Sequence, residues 1–401
     1  MCENIDLTNT ARRPIRMKTV MLLAVITASL MACSRAPENN SPTSSAPPSS
    51  TNTTPAPNTQ PASAGNSYAE VVSRVAPSVV SVRSARRVHA PRQHPFFDDP
   101  RFRDFFGERA PRVPQNELPR QQGMGSGIIV SDEGYILTNH HVIDGAEEIR
   151  VELNDRRTYP ARLVGSDAPS DLAVLKVEER NLPALAMGDS DAARVGDVVL
   201  AIGNPLGLEQ TVTAGIISAK GRSTGLSDGS FEDFLQTDAP INQGNSGGAL
   251  VSAAGELVGI NSQILSPTGG NIGIGFAIPA NMAKSVMEQL IRNGKVRRGS
   301  LGVTIQPVTS DIAASLGLQD VRGALVNSVS TGSPAERAGL MQGDVITAFN
   351  GAPVADTNSL RNAVAGTQPG AEVSLTVRRQ GREQQLRATL GELNTVAQLP
   401  G

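Results

Sequence analysis

The stretch of this chain best suited to chemistry is Gly244-Asn245-Ser246-Gly247-Gly248. A serine between glycines sits on a turn tight enough to leave its hydroxyl free. The N–H groups of Gly244 and Ser246 can then face the point where an oxyanion would form, which suits an acyl-transfer nucleophile. Taken alone, the pentapeptide fits a plain glycine turn between two strands equally well. A serine hydroxyl also needs a base to take its proton and an acid to orient that base. The chain has four histidines. His89 and His94 fall in a Pro/Arg-rich stretch that reads as a loop, whereas His140 and His141 follow the strand-like run Gly134-Tyr135-Ile136. Adjacent histidines would equally fit a weak metal site or a strand edge. Asp171 is the only carboxylate in Asp171-Leu172-Ala173-Val174-Leu175-Lys176-Val177, at the mouth of an apolar strand. A turn residue capping that strand would look the same. The order His, Asp, Ser in these strand contexts favours nucleophilic catalysis over each separate reading.

Those side chains need a rigid frame. From about Ser78 to Ala277 the chain is short β-rich runs separated by turn residues, among them Val79-Val80-Ser81-Val82, Gly127-Ile128-Ile129-Val130, Val198-Val199-Leu200-Ala201-Ile202 and Leu257-Val258-Gly259-Ile260. Strand-turn periodicity without alternating helices predicts an all-β barrel or sandwich. Ser67-Tyr68-Ala69-Glu70 predicts a capping box that opens a short helix ended by Pro77. Asn281 to Asn293 predicts a helix with Met282, Val286, Met287 and Leu290 on its apolar side and Gly294 past its end. The glycine patterns Gly123-Met124-Gly125-Ser126-Gly127 and Gly273-Ile274-Gly275 precede β-branched or aromatic runs rather than helices, so they lack the helix N-terminus a phosphate site needs. No Cys/His spacing suits zinc and no acidic loop suits calcium, so no metal and no cofactor are expected. The net charge of −2 is mixed along the chain, which gives no basis for nucleic-acid binding.

The N-terminal region predicts export. Arg12, Arg13, Arg16 and Lys18 precede the apolar run Val20-Met21-Leu22-Leu23-Ala24-Val25-Ile26, the pattern of a secretory signal too short to span a bilayer comfortably. The run closes on Leu30-Met31-Ala32-Cys33, which looks like a bacterial lipobox. Residues 1–33 then form a signal peptide, and Cys33 becomes the lipidated first residue of the mature chain. An ordinary cleaved signal with an incidental cysteine is the alternative. Met17 could be the true start. Ser34 in place of aspartate resembles the sorting rule for outer-membrane lipoproteins, which places the protein in the periplasm of a diderm bacterium, lipid-anchored to the outer membrane. The chain's two cysteines, Cys2 and Cys33, would leave no disulfide after processing, so stability must come from core burial. Residues 34–66 are Pro, Ser, Thr, Asn and Ala with almost no large apolar side chain, and read as a disordered tether. Such a tether spans on the order of 30 Å.

Here the chain resembles a known family. Thr138-Asn139-His140-His141-Val142, Asp171-Leu172-Ala173-Val174 and Gly244-Asn245-Ser246-Gly247-Gly248-Ala249-Leu250 look like the three catalytic blocks of the HtrA/Deg serine proteases. Gly125-Ser126-Gly127, Gly203-Asn204-Pro205-Leu206-Gly207, Gln236-Thr237-Asp238-Ala239 and Gly275-Phe276-Ala277-Ile278-Pro279 add to the likeness, which covers roughly residues 67 to 395. The resemblance implies a mainly β protein, with a chymotrypsin-like two-barrel protease domain over residues 67–297 followed by an α+β PDZ domain. It implies His141, the histidine before valine, as the base, Asp171 as the orienting acid and Ser246 as the nucleophile. A strand through both histidines could not point both rings at one serine. Gly244 and Ser246 would supply the oxyanion hole. Asn245 cannot form the ion pair that an aspartate there makes after zymogen cleavage in digestive proteases of this fold, so loop rearrangement is the expected control. By resemblance to trypsin-like pockets, Pro240 forms the base of the specificity pocket, with Ile241 and Ile264 as apolar walls. An uncharged pocket predicts cleavage after Val, Ala or Ile, because a buried cationic side chain would stay unpaired at a cost of several kcal/mol.

A PDZ domain is expected over residues 298–395. Ser300-Leu301-Gly302-Val303 resembles the carboxylate-binding loop of that domain, whose amides receive a peptide C-terminus while the peptide adds as a strand. Ser333-Pro334-Ala335-Glu336-Arg337-Ala338-Gly339-Leu340, then Gly343-Asp344-Val345-Ile346, fit the bacterial pattern. Asn350-Gly351 is a tight hairpin turn, and a helix from about Asn358 to Val364 would wall the groove with Leu360 and Val364. The resemblance implies an ATP-independent endopeptidase that degrades misfolded or unfolded envelope proteins and is regulated by C-terminal peptides, with Arg222 a candidate relay. A PDZ-dependent chaperone or scaffold, or a signalling protease cutting one membrane-bound regulator, are the competing readings. Family members assemble from trimers, and Tyr68 would be a trimer contact. The segment from His89 to Gln122 holds five of the nine phenylalanines, namely Phe96, Phe97, Phe102, Phe105 and Phe106. It reads as a lid or subunit-contact loop, or else as a loop with a local apolar clump.

Overall fold

The computed structural model describes residues 67–87, 120–204, 210–224, 231–242, 244–264, 272–318 and 320–393. The signal, the lipobox with Cys33, the tether and the phenylalanine cluster lie outside the described residues. The first described element is helix α1 (Ala69–Val75), continued by a 3-10 turn over Ala76–Ser78 that carries Pro77. The expected capping box is absent. Tyr68 is the N-cap and makes no side-chain cap, while the Ser67 hydroxyl accepts from the Ala69 N–H at 3.3 Å. Serine one position too early cannot reach the third helical amide.

Two closed six-stranded barrels follow, as the resemblance implied. The first is β1 (Val79–Arg87), β2 (Arg120–Ile129), β3 (Tyr135–Thr138), β4 (Glu148–Glu152), β5 (Thr158–Asp167) and β6 (Leu172–Val177), in the order β1-β2-β3-β6-β5-β4. The second is β7 (Val198–Gly203), β8 (Thr211–Arg222), β9 (Phe234–Thr237), β10 (Ala249–Ser252), β11 (Leu257–Ile264) and β12 (Gly275–Pro279), in the order β10-β11-β12-β9-β8-β7. Successive side chains of a strand point to opposite faces. Val80, Ile129, Ile136 and Leu175 therefore fill the first barrel, while Val79, Ile128, Leu137 and Val174 face a shared core. Val199, Ala201 and Leu250 fill the second barrel, while Leu200, Ile202 and Val251 meet the first barrel's outward face in that core. Burial on both faces explains why these strands read as continuous apolar runs rather than clean alternation.

Helix α2 is one turn, His140–Ile143. Helix α3 (Ala280–Asn293) closes the unit over the shared core with Ala283, Val286 and Leu290, and ends at Gly294, whose φ of 69° suits a left-handed cap. Met282 and Met287, expected on the apolar side, are only partly buried, and Ala280 and Ala283 take the innermost positions.

The C-terminal part is a small α+β fold. Its sheet runs β14 (Val303–Pro307), β15 (Ala324–Val329), β16 (Val345–Phe349), β18 (Glu372–Arg379) and β19 (Arg382–Thr389), with β17 (Ala352–Pro353) beside β16. A separate pair joins β13 (Gly299–Ser300) to β20 (Gly391–Glu392). Helices α4 (Ser310–Ser315), α5 (Pro334–Arg337) and α6 (Thr357–Gly366) complete it. Asn350 and Gly351 have φ of 50° and 80°, so both centres of the hairpin turn are left-handed. Helix α6 starts from a capping box between Asp356 and Ser359.

Candidate active site

The first barrel carries an ordered imidazole–carboxylate pair. After β3 the chain turns helical at α2 rather than continuing as a strand, so His140 and His141 diverge by helical rotation, not by strand alternation. Buried Val142 and Ile143 seat this turn, and the Ser84 hydroxyl donates to the Val142 carbonyl at 2.7 Å. His141 Nδ1 lies 2.9 Å from both carboxylate oxygens of Asp171, and the His141 N–H donates to Asp171 Oδ1 at 3.1 Å. In return the Asp171 carbonyl accepts from the His140 N–H at 3.1 Å and from Asn139 Nδ2 at 2.9 Å. His140 turns away, with Nε2 at 3.7 Å from Asp144 and a buried Nδ1 that has no partner among the described residues.

Asp171 sits at φ 54° and ψ 38°, a left-handed conformation that costs a non-glycine residue about 1 kcal/mol. It ends a 3-10 turn, Ala168–Ser170, whose N-cap Asp167 accepts from the Ser170 N–H at 3.0 Å and from the Ser170 hydroxyl. Arg298, just ahead of β13, grips the same carboxylate with Nη1 and Nη2 at 2.7 and 2.6 Å. Its guanidinium lies 4.5 Å from the centre of the Phe231 ring, and the Phe231 N–H donates to the Pro169 carbonyl at 2.8 Å. Burial pushes the Asp167 carboxyl up, but the Arg298 hydrogen bonds and charge outweigh it, with help from Ser170, and hold it below the ordinary value.

The second barrel carries the serine turn. Gly247, at φ 82°, packs so closely that a Cβ there would fall 2.1 Å from the Ser126 carbonyl oxygen, and one on Gly248 would fall 2.3 Å from that of Ile202. Glycine is therefore required at both positions by contact. The N–H groups of Asn245, Gly247 and Gly248 donate to the carbonyls of Asn242, Asn261 and Asn245. Those of Gly244 and Ser246 have no acceptor among the described residues. The turn thus leaves unbonded the two amides that an oxyanion would need.

Ser262, which sequence reasoning did not single out, joins the two halves. Its hydroxyl donates to Asp171 Oδ2 at 2.8 Å, and its carbonyl accepts from the Ser246 hydroxyl at 2.9 Å. Its signal was Asn261-Ser262, a polar pair inside the apolar run of β11. Ser246 makes no hydrogen bond to His141 here, so its hydroxyl must leave the Ser262 carbonyl to reach the imidazole. Such bonds are often unformed without substrate.

The remaining expected residues are spread more widely. Ile241 is buried against Gly275, where a Cβ would meet Ile241 Cδ1 at 2.9 Å. Pro240 is exposed, its carbonyl accepting from the Thr213 hydroxyl at 2.8 Å. Ile264 pairs with Gly275 in the sheet, and its side chain lies outside the described residues. Arg222 is exposed at the end of β8, paired in register with Phe234, and makes no side-chain hydrogen bond or ion pair among the described residues.

In the C-terminal fold, Ser300 is in β13 and Val303 opens the edge strand β14, with Leu301 and Gly302 between them. The carbonyls of Leu301 and Gly302 accept from Ala335 and Ser330, whereas their amides have no acceptor among the described residues. Gly302 has φ 74°, and a Cβ there would lie 2.5 Å from that of Ser333. Leu360 and Val364 are not open groove walls: both are buried in one cluster with Leu301, because a short helix over a small sheet must spend its apolar face on the core. Helix α6 also reaches the two-barrel part, where Asn358 and Asn362 both donate to the Glu232 carbonyl, at 2.8 and 2.7 Å. Among the described residues no group of His, Cys, Asp and Glu could hold a metal ion, and no helix is long and apolar enough to cross a membrane.

Comparison with known proteins adds to this geometry. Residues 125–260 match the trypsin-like peptidase domain family and residues 299–390 the PDZ domain family. The chain is 49% identical over 300 residues to a probable periplasmic serine endoprotease DegP-like of Chlamydia trachomatis, covering 75% of this chain and 60% of that one. It is 45% identical over 326 residues to the periplasmic pH-dependent serine endoprotease DegQ of Escherichia coli, covering 81% and 70%. A structure of the HtrA-type protease AlgW with a tripeptide aligns at TM-score 0.66 and 45% identity, over 82% of this chain and 98% of that one. The serine endoprotease from Yersinia pestis aligns at TM-score 0.55 and 41% identity, over 82% and 98%.

Proposed function

This chain belongs to the HtrA/Deg family of serine endopeptidases, and from that premise we propose that Ser246, His141 and Asp171 are its catalytic residues and that its PDZ domain controls them. Substrate binding turns the Ser246 hydroxyl from the Ser262 carbonyl to His141 Nε2. The imidazole takes the proton as Ser246 Oγ attacks the scissile carbonyl, and later gives it to the leaving amine. Asp171 holds Nδ1–H and stabilises the imidazolium. The amides of Gly244 and Ser246 bind the oxyanion, a role in which one donor is worth about 10²–10³ in rate. The observation that carries this reading is the bridge through Ser262, which touches both the Asp171 carboxylate and the Ser246 hydroxyl.

Uncharged Pro240 and apolar Ile241 and Ile264 favour cleavage after Val, Ala or Ile. Unfolded envelope proteins in the periplasm are the substrates. Their C-termini dock at Ser300, Leu301, Gly302 and Val303 beside β14, with Leu360 and Val364 supporting the groove from beneath, and Arg222 relays occupancy to the cleft. A lipid at Cys33 tethers the protein to the outer membrane, and Tyr68 contributes to a trimer. The deciding test is fluorophosphonate labelling and casein digestion, with and without C-terminal apolar peptides, beside Ser246→Ala. Labelling that requires Ser246 and digestion that rises with peptide are expected. Wild-type protein that stays unlabelled even with peptide and casein present would overturn the peptidase mechanism in favour of a binding module.

A further inference from the structure

Ser126 lies on β2 of the first barrel, 0% exposed, with a role beyond strand pairing. Its N–H donates to the Ser246 carbonyl at 2.8 Å, and its hydroxyl donates to the Gly244 carbonyl at 2.6 Å. The same hydroxyl accepts from the Asn204 N–H at 2.8 Å, just past β7, and the Ser126 carbonyl accepts from the Thr138 hydroxyl at 2.7 Å, at the end of β3. The two residues whose amides have no acceptor among the described residues, Gly244 and Ser246, are thus the two whose carbonyls Ser126 holds.

We propose that Ser126 is the positioning residue of the oxyanion hole, clamping the serine turn to the first barrel so that the amides of Gly244 and Ser246 face the cleft. The inference rests on Ser246 being the nucleophile. Gly244, at φ 94°, has the widest conformational freedom of any residue type, so its own chain does not fix the direction of its N–H. Its carbonyl and N–H belong to different peptide planes, so the N–H is directed only when the turn around it is held, and an external anchor on the carbonyl is one such hold. The Ser126 hydroxyl is that anchor, and because it also accepts from Asn204 it ties the start of the loop after β7 to the same point. Alanine at 126 would fill nearly the same volume between Gly125 and Gly127 while leaving the Gly244 carbonyl and the Asn204 N–H without this partner.

The test is Ser126→Ala in the full chain, read with a Val-containing peptide substrate and with a Val-terminated peptide boronic acid. The boronic acid adds the serine hydroxyl at boron and sets one boron oxygen where the oxyanion forms. The expected result is a kcat lower by about 10–100-fold, KM within about twofold, and boronate affinity weakened in proportion to kcat/KM. Ser126→Cys, which keeps a weak donor, should recover part of the loss. If Ser126→Ala does not fold, Ser126→Cys carries the test, with kcat and boronate affinity falling together at steady KM. Unchanged kcat in a folded variant, or a loss carried by KM with boronate affinity intact, overturns the proposal. Ser246→Ala run in parallel separates the two readings: if it still turns over substrate, the nucleophile is misassigned whatever Ser126 does.

Discussion

The two halves of the proposed active site differ in how completely they are built. On the first barrel, the His141 ring and N–H both bind the Asp171 carboxylate, the Asp171 carbonyl holds His140 and Asn139, and a cramped turn beneath Asp171 is pinned by Arg298. On the second barrel, the serine turn is fixed by contact at Gly247 and Gly248, yet its hydroxyl rests on a carbonyl rather than on the imidazole. In the proposed mechanism the imidazole–carboxylate pair is already ordered, while the Ser246 hydroxyl has a rotation to make.

Substitutions can sharpen or break this contrast. Asp171→Asn should have the largest effect, lowering kcat about 10⁴-fold through the wrong imidazole tautomer, with the fold intact by circular dichroism. A loss below tenfold would mean that the ordered half is not the catalytic half. Arg298→Ala should cost about 3–5 kcal/mol in denaturant unfolding, because it strands the Asp167 carboxylate in a nearly buried site. Asp167 has a lowered folded pKa, so its stabilisation is present above the ordinary carboxylate range and is lost as pH falls through the lowered value. The gap between wild type and Arg298→Ala should therefore close in acid, and a gap that widens there would contradict the pairing. Ser262→Ala removes one charge-assisted hydrogen bond to Asp171 and should lower kcat about tenfold. Peptide assays in which Ser262→Ala matches wild type would show that the bridge is incidental. Asp233→Asn should have the smallest effect. Burial raises the Asp233 pKa, with Asp191 and Asp356 adding to it against Lys220. The folded state then holds that proton more tightly than the unfolded chain, so the charged carboxylate weakens the fold above the raised pKa. The variant should melt slightly higher at pH 7, with the gain vanishing as pH falls below that value.

Much of the frame was legible because its causes are local. The runs at 79–82, 127–129, 198–202 and 257–260 are strands, Asn350-Gly351 is a left-handed hairpin turn, and Gly294 caps α3. Where reading went astray, packing set the outcome. Ser67 did not form a capping box because the helix began one residue later than the pattern implied. Leu360 and Val364 face inward because the small C-terminal sheet has few other apolar partners. Ser262 and Arg298 carried no motif of their own: Ser262 matters through Asp171 and Ser246, and Arg298 through the Asp167 carboxylate it meets.

From the sequence alone came the residue types: a serine among glycines, a histidine pair, one aspartate at a strand mouth, and strands apolar enough to bury both faces. Tertiary structure alone decided which of them meet. Asp171 lies 30 positions from His141 and 91 from Ser262, and Ser126 lies 118 from Gly244. Periodicity and turn chemistry act over a few residues, whereas those contacts exist only once each barrel closes and the two share a core.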